Sequence, residues 1–171
     1  MKVILPHEVV KRLTAELKRA GVREIGGVLV GEHVGDETFR IADLSVQRSG
    51  GSATHFVRDV DHSSIFLKEF FARTGHEYGR FNYLGEWHSH PSFEPLPSAK
   101  DLTAMRDIVE DPNVGTNFAV LLIVTLAKRS AIHLSATAFR AHALPLSVEV
   151  EAENEPSLKR SWFVRFIGLF R

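Results

Sequence analysis

The residues best suited to chemistry fall in one stretch, Gly85-Glu86-Trp87-His88-Ser89-His90-Pro91, after which come Ser98 and Asp101. Two imidazoles stand two residues apart; seven residues separate the second from a hydroxyl, and a carboxylate follows three residues later. Two neutral imidazoles and one carboxylate would give a tetrahedral zinc ion three protein ligands and leave its fourth position to water, the arrangement of a catalytic rather than a structural site. The chemistry this implies is hydrolysis.

Two elements must bring these groups together. Phe81 to Trp87 is rich in aromatics and is stopped by Pro91, so it reads as a strand ending where the histidines sit. Residues i and i+2 of a strand share a face, which aims His88 and His90 at one point. Leu102, Met105, Ile108 and Val109 form a helical stripe opened by Ser98 and Asp101, and residues three apart lie on one side of a helix. Asp101 can therefore reach the same point from a second element. A regular strand would also put Glu86 on the face of His88 and His90, as a general base or as an acceptor for a ligand imidazole.

The pattern His88-x-His90, seven residues, Ser98-x-x-Asp101, with Glu24 upstream, resembles the JAMM motif of the JAB1/MPN/Mov34 metallopeptidases. The segment Glu24-x-x-Gly27-x-Leu29-x-Gly31 is similar to the family's first strand. The resemblance implies that His88, His90 and Asp101 bind zinc (Zn2+), that Glu24 is the general base, and that Ser98 helps hold the oxyanion. It implies an α/β fold, the MPN (JAB1/Mov34) domain, with a curved mixed β-sheet flanked by helices. From about Glu24 to Met105 the chain resembles bacterial members that sit beside ubiquitin-activating and ubiquitin-conjugating enzyme homologues, including those of CBASS antiphage systems. These cut the isopeptide or peptide bond made by the carboxyl terminus of a tagged protein. The expected partner is thus a protein conjugated through its C-terminus. The expected groove is walled by residues 55–83, where an extended tail adds along an exposed strand edge. The resemblance leaves two alternatives for this chain: a peptidase of the same chemistry that processes a small peptide or a sulfur-carrier protein, and a non-catalytic, metal-free MPN scaffold, a class that loses ligands this chain retains.

Composition agrees with a compact enzyme: 171 residues, 44% hydrophobic and 25% charged, fit one domain spanning 1–171. Lys+Arg and Asp+Glu each number 21, so no net field draws nucleic acid or an acidic membrane. The absence of cysteine excludes disulfides, thiolate zinc sites and a cysteine nucleophile. The N-terminus lacks the apolar run of a signal peptide, and the expected location is cytoplasmic.

The remaining pattern supplies scaffold. Val9, Val10, Leu13, Leu17 and Ala20 recur at helical spacing before Gly21; Glu24–Val34 and Phe39–Gln47 read as paired strands. A glycine-rich loop over 48–54 precedes a helix capped near Asp59 and closed by Thr74-Gly75. Phe118–Ala127, too short to cross a bilayer, should be the buried central strand, paired with Ile132–Phe139 through Lys128-Arg129-Ser130. The acidic stretch Glu149–Glu155 leads to an apolar C-terminal segment, about 157–171, which either docks on the core or forms a surface for a partner, a second copy or a membrane.

Overall fold

The computed structural model describes residues 1–48, 59–127 and 131–153. In chain order the elements are β1 (Lys2–Leu5), α1 (His7–Ala20), β2 (Gly26–Gly35), β3 (Thr38–Leu44), α2 (Val60–Arg73), β4 (Phe81–Ser89), α3 (Ala99–Glu110), β5 (Ala119–Leu126), β6 (Ile132–Phe139), β7 (Leu146–Ser147) and β8 (Glu149–Ala152). The expected helices and the five longer strands are present, with β2 starting two residues after Glu24 and β3 ending at Leu44. The short strands β1, β7 and β8 were not anticipated. The 128–130 turn, most of the glycine-rich loop and the 157–171 segment lie outside the described residues.

The strands form one mixed sheet in the order β7-β6-β5-β4-β2-β3-β1-β8. β4 and β5 are parallel neighbours joined through α3, and β2 pairs antiparallel with both β3 and β4. The edge strands β7 and β8 are separated in the chain by Val148 alone, whose N–H donates to Ala136 O at 2.9 Å. One extended stretch therefore pairs with β6 at one edge and with β1 at the other. The sheet curls until its two edges share that stretch, and α1 fills the concavity: Val9, Leu13 and Leu17 pack with Leu29, Leu44, Trp87, Leu122 and Val148. Gly21, at φ 63°, ends α1 with its N–H on Leu17 O. On the opposite face Met105, Ile108 and Val109 of α3 pack on Ala119, Leu121 and Ile123. β5 is buried from both sides, as its unbroken apolar run predicts.

A bulge in β4 decides which face carries the imidazoles. Leu29 pairs with Gly85 and Val30 with Tyr83, so Leu84 is an extra residue. Strict alternation would put Leu84 and Trp87, three apart, on opposite faces; both lie in the α1 core. The extra residue reverses the phase of everything after it. Tyr83 still packs toward α3, and beyond the bulge Glu86 and His88 take that side while Trp87 takes the other, donating from Nε1 to Ser45 O at 2.8 Å. Gly85 makes the bulge possible: its φ is 148°, and a Cβ there would overlap the Val120 main chain.

Gly85→Ala should therefore destabilise the fold by about 3 kcal/mol or more, combining backbone strain with overpacking. Gly35→Ala, where an added Cβ meets nothing within 4 Å, should stay within about 1 kcal/mol of the parent. Urea unfolding of the two variants checks the contrast.

Candidate metal centre

The centre sits where β4 ends and the chain turns into α3, at the carboxyl end of a parallel strand pair. His88 is carried by the ladder itself, paired with Gly26 of β2 and Ile123 of β5. His90, just past the strand, is held by its N–H on Val124 O at 2.9 Å. Its Nδ1 lies 3.0 Å from Glu94 O. A carbonyl only accepts, so Nδ1 carries the proton and Nε2 presents its lone pair to the cleft.

Asp101 arrives from the first turn of α3, where it forms a capping box with Ser98. Asp101 N donates to Ser98 Oγ at 3.2 Å, while Asp101 Oδ2 accepts from Ser98 N at 2.7 Å and from Ser98 Oγ at 2.6 Å. Oδ1 is left facing the histidines, 3.5 Å from His88 Nε2. His88 Nε2 and His90 Nε2 are 3.2 Å apart, and the ligand atoms of all three residues lie within 4.8 Å of one another.

These separations suit a metal. Zinc–ligand bonds of about 2.0–2.1 Å at tetrahedral angles place ligand atoms roughly 3.3 Å apart. Two imidazole nitrogens converging beside a carboxylate in a buried site form a donor set that a divalent cation satisfies. Burial pushes the His88 pKa from its ordinary value of 6.5 down to about 4, a fall that Asp101 partly opposes, so at neutral pH the ring is uncharged, the form in which imidazole can bind a metal.

Glu24 reaches the centre from the residues preceding β2. Its neighbour Ile25 is tied to Ser89, between the histidines: Ser89 N donates to Ile25 O at 2.8 Å, and Ile25 N donates to Ser89 Oγ at 3.0 Å. Glu24 is 7% exposed. Burial raises its pKa above the usual carboxylate value, an effect opposed by His90 and reinforced by Asp101. A carboxylate tuned upward is better matched to proton transfer near neutrality.

All five expected residues, and Glu86, line one cleft of about 910 Å³. Exposed Phe93, Leu96 and Val60 rim it. A second cleft of about 590 Å³, lined by Leu67, Phe71 and Tyr83, shares Val60, Ile108 and Val114 with the first, so the two form a trough along the α2/α3 face. Phe70 of α2 is buried, and Phe71 lines the second cleft. Sequence reasoning passed over Ser89 and the Glu94 carbonyl. Ser89 is legible afterwards as the residue that must face away from two inward-facing neighbours; nothing in the sequence marks a main-chain carbonyl.

Comparison with known proteins identifies the family and the fold. Over 126 residues the chain is 36% identical to a "CD-NTase/cGAS isopeptidase" of Vibrio cholerae serotype O1, covering 71% of this chain and 74% of that protein. Over 138 residues it is 28% identical to a protein of the same name from Enterobacter hormaechei subsp. hoffmannii, covering 79% and 73%. The solution structure of protein DSY2949 from Desulfitobacterium hafniense superposes with a TM-score of 0.64 at 20% identity, covering 90% of this chain and 94% of that one, which shows a shared fold. The sequence profile of the prokaryotic homologs of the JAB domain matches residues 6–142, well beyond the motif-bearing segment. The chain belongs to that family, the prokaryotic homologs of the JAB domain.

Proposed function

We propose that this protein is a zinc-dependent isopeptidase or peptidase that releases a protein tag at the tag's carboxyl-terminal tail, acting in the cytoplasm within a bacterial antiphage system of the CBASS type. The observation that carries this reading is the convergence of His88, His90 and Asp101 within 4.8 Å in a cleft also lined by Glu24. The names of the two isopeptidase relatives support the bond class. The partners that follow are a conjugated protein substrate and homologues of ubiquitin-activating and ubiquitin-conjugating enzymes. No helix among the described residues is long and apolar enough to cross a membrane.

His88, His90 and Asp101 would hold the ion. A zinc ion held there would supply Lewis-acid chemistry, polarising a carbonyl and lowering the pKa of water from 15.7 to about 7. Glu24 takes a proton from the attacking water and returns it to the departing amine. Ser98 is assigned to the oxyanion. In this structure its hydroxyl donates to Asp101 Oδ2, so it turns to substrate only when that bond is exchanged. Glu86 lines the same cleft and stands beside the chemistry as an accessory carboxylate.

The docking route expected from sequence, a strand edge in a groove walled by residues 55–83, falls partly outside the described residues. β4 is already paired on both sides, by β2 and β5, so among the described residues the centre has no free strand edge to extend. The tail is assigned instead to the trough between the sheet face and α2 and α3, whose apolar walls and polar ends suit an extended peptide.

Metal analysis of the purified protein should find one zinc per chain, lost when His88→Ala and Asp101→Ala are combined; stoichiometric zinc in that double variant would exclude the assigned ligands. Glu24→Ala should keep its zinc and lose roughly 10²- to 10⁴-fold in turnover, with a smaller loss for Glu86→Ala; a single-turnover assay that reverses this ranking would move the base to Glu86. Fusions that vary tail and acceptor separately should be cut according to the tail, and equal cutting of scrambled tails would rule out a deconjugase.

A further inference from the structure

The β2–β4 ladder changes character at its last rung, next to the metal centre. Gly26 and His88 are the last regular pair, and one residue further out Ile25 meets Ser89. Ser89 N donates to Ile25 O at 2.8 Å, as a ladder requires. The return bond does not go to a main-chain carbonyl: Ile25 N donates to Ser89 Oγ at 3.0 Å. Ile25 and Ser89 are each 1% exposed, so water cannot replace this acceptor. Regular β2 geometry begins only at Gly26, and Glu24 stands immediately outside it, in the cleft with the histidines.

We propose that Ser89 is a positioning residue for the general base: its hydroxyl takes the place of a main-chain acceptor for Ile25 N and thereby sets where Glu24 stands relative to His88 and His90. The proposal rests on the reading of Glu24 as the base. Ser89 lies between the two ligands in sequence and faces away from both. Its main chain is fixed independently by β5, through the pairing of Ser89 with Val124 and the bond from His90 N to Val124 O. Removing the hydroxyl thus leaves the ligands on their strand and releases the residues that carry the base. A misplacement of about 1 Å at a catalytic group costs on the order of 10²-fold in rate.

The test compares Ser89→Ala, Ser89→Cys and Ser89→Thr in the full chain. The expected result for Ser89→Ala is a fall in kcat of about 10- to 100-fold, with KM within about twofold and zinc affinity, measured by chelator competition, within about threefold. Ser89→Cys, close in size but a weak acceptor, should fall in the same direction, and Ser89→Thr, which restores an oxygen, should recover to within about threefold of the parent. Amide exchange at Ile25 should quicken in the Ala and Cys variants while that at Val124 is unchanged. Should Ser89→Ala not fold, the Cys and Thr pair decides the matter. The proposal is overturned if kcat is unaffected, if zinc affinity falls in step with kcat, or if Thr does not rescue. Glu24→Gln run in parallel separates the two levels: full turnover in that variant removes the base assignment itself, whereas its loss beside fully active Ser89 variants removes the positioning role alone.

Discussion

The extra residue in β4 is the constraint on which the rest of the arrangement depends. A strand that kept its alternation through Leu84 and Gly85 would turn the imidazoles into the α1 core and Trp87 toward α3. With the phase reversed, one strand supplies a buried indole to the closed side of the sheet and metal-ligand candidates to the open side. Only glycine permits this, because the bulged main chain lies against Val120 too closely for a Cβ. The parallel crossover through α3 then delivers Asp101 to the face the bulge has chosen.

The groups of the centre are held by bonds that leave their reactive atoms available. Nδ1 of His90 is engaged by Glu94 O and Oδ2 of Asp101 by Ser98, so His90 Nε2 and Asp101 Oδ1 face inward. Burial adds an electrostatic consequence. Because folding lowers the His88 pKa from 6.5 to about 4, the folded chain disfavours its protonated form. Its contribution to stability is complete above about pH 6.5 and is lost as pH falls toward 4. The environment that keeps a ligand neutral thus also makes the metal-free chain sensitive to acid.

The convergence of the candidate ligands was legible because its signals are local. Two histidines in i,i+2 positions before a proline, and a Ser-x-x-Asp opening an apolar helical stripe, each specify an element and the direction of a side chain. The long strands and all three helices announced themselves by periodicity. Glu24 could be preferred over Glu86 only by resemblance to a family. Periodicity places Glu86 on the face of the ligands, whereas the position of Glu24 follows from a nonlocal bond between Ile25 and Ser89. β1, β7 and β8 escaped for a similar reason. They are four residues or fewer; β1 and β8 pair with each other across most of the chain, and β7 is two residues laid against the end of β6. The acidic composition of Glu149–Glu153 reads as a solvated run until Lys2 and Arg40 are seen to pair with Glu151 and Glu153.

The stretch from Leu146 to Ala152 behaves as the keystone of a ring. Its partners, Thr137 and Ala138 on one side and residues 2–5 on the other, come from widely separated parts of the chain, so the curled sheet cannot be sealed by local events. A nascent chain that has emerged only through β6 holds α1 in an unsealed sheet with both margins exposed, each a row of unpaired donors and acceptors open to a second molecule. The charges along the seam fit this burden. Glu149 and Glu151 lie on the sealing strand and Lys2 on its partner, and they favour the correct neighbour over another copy of the same acidic strand. In the order of biosynthesis, His88, His90 and Asp101 are all made before the ring that encloses their scaffold can close.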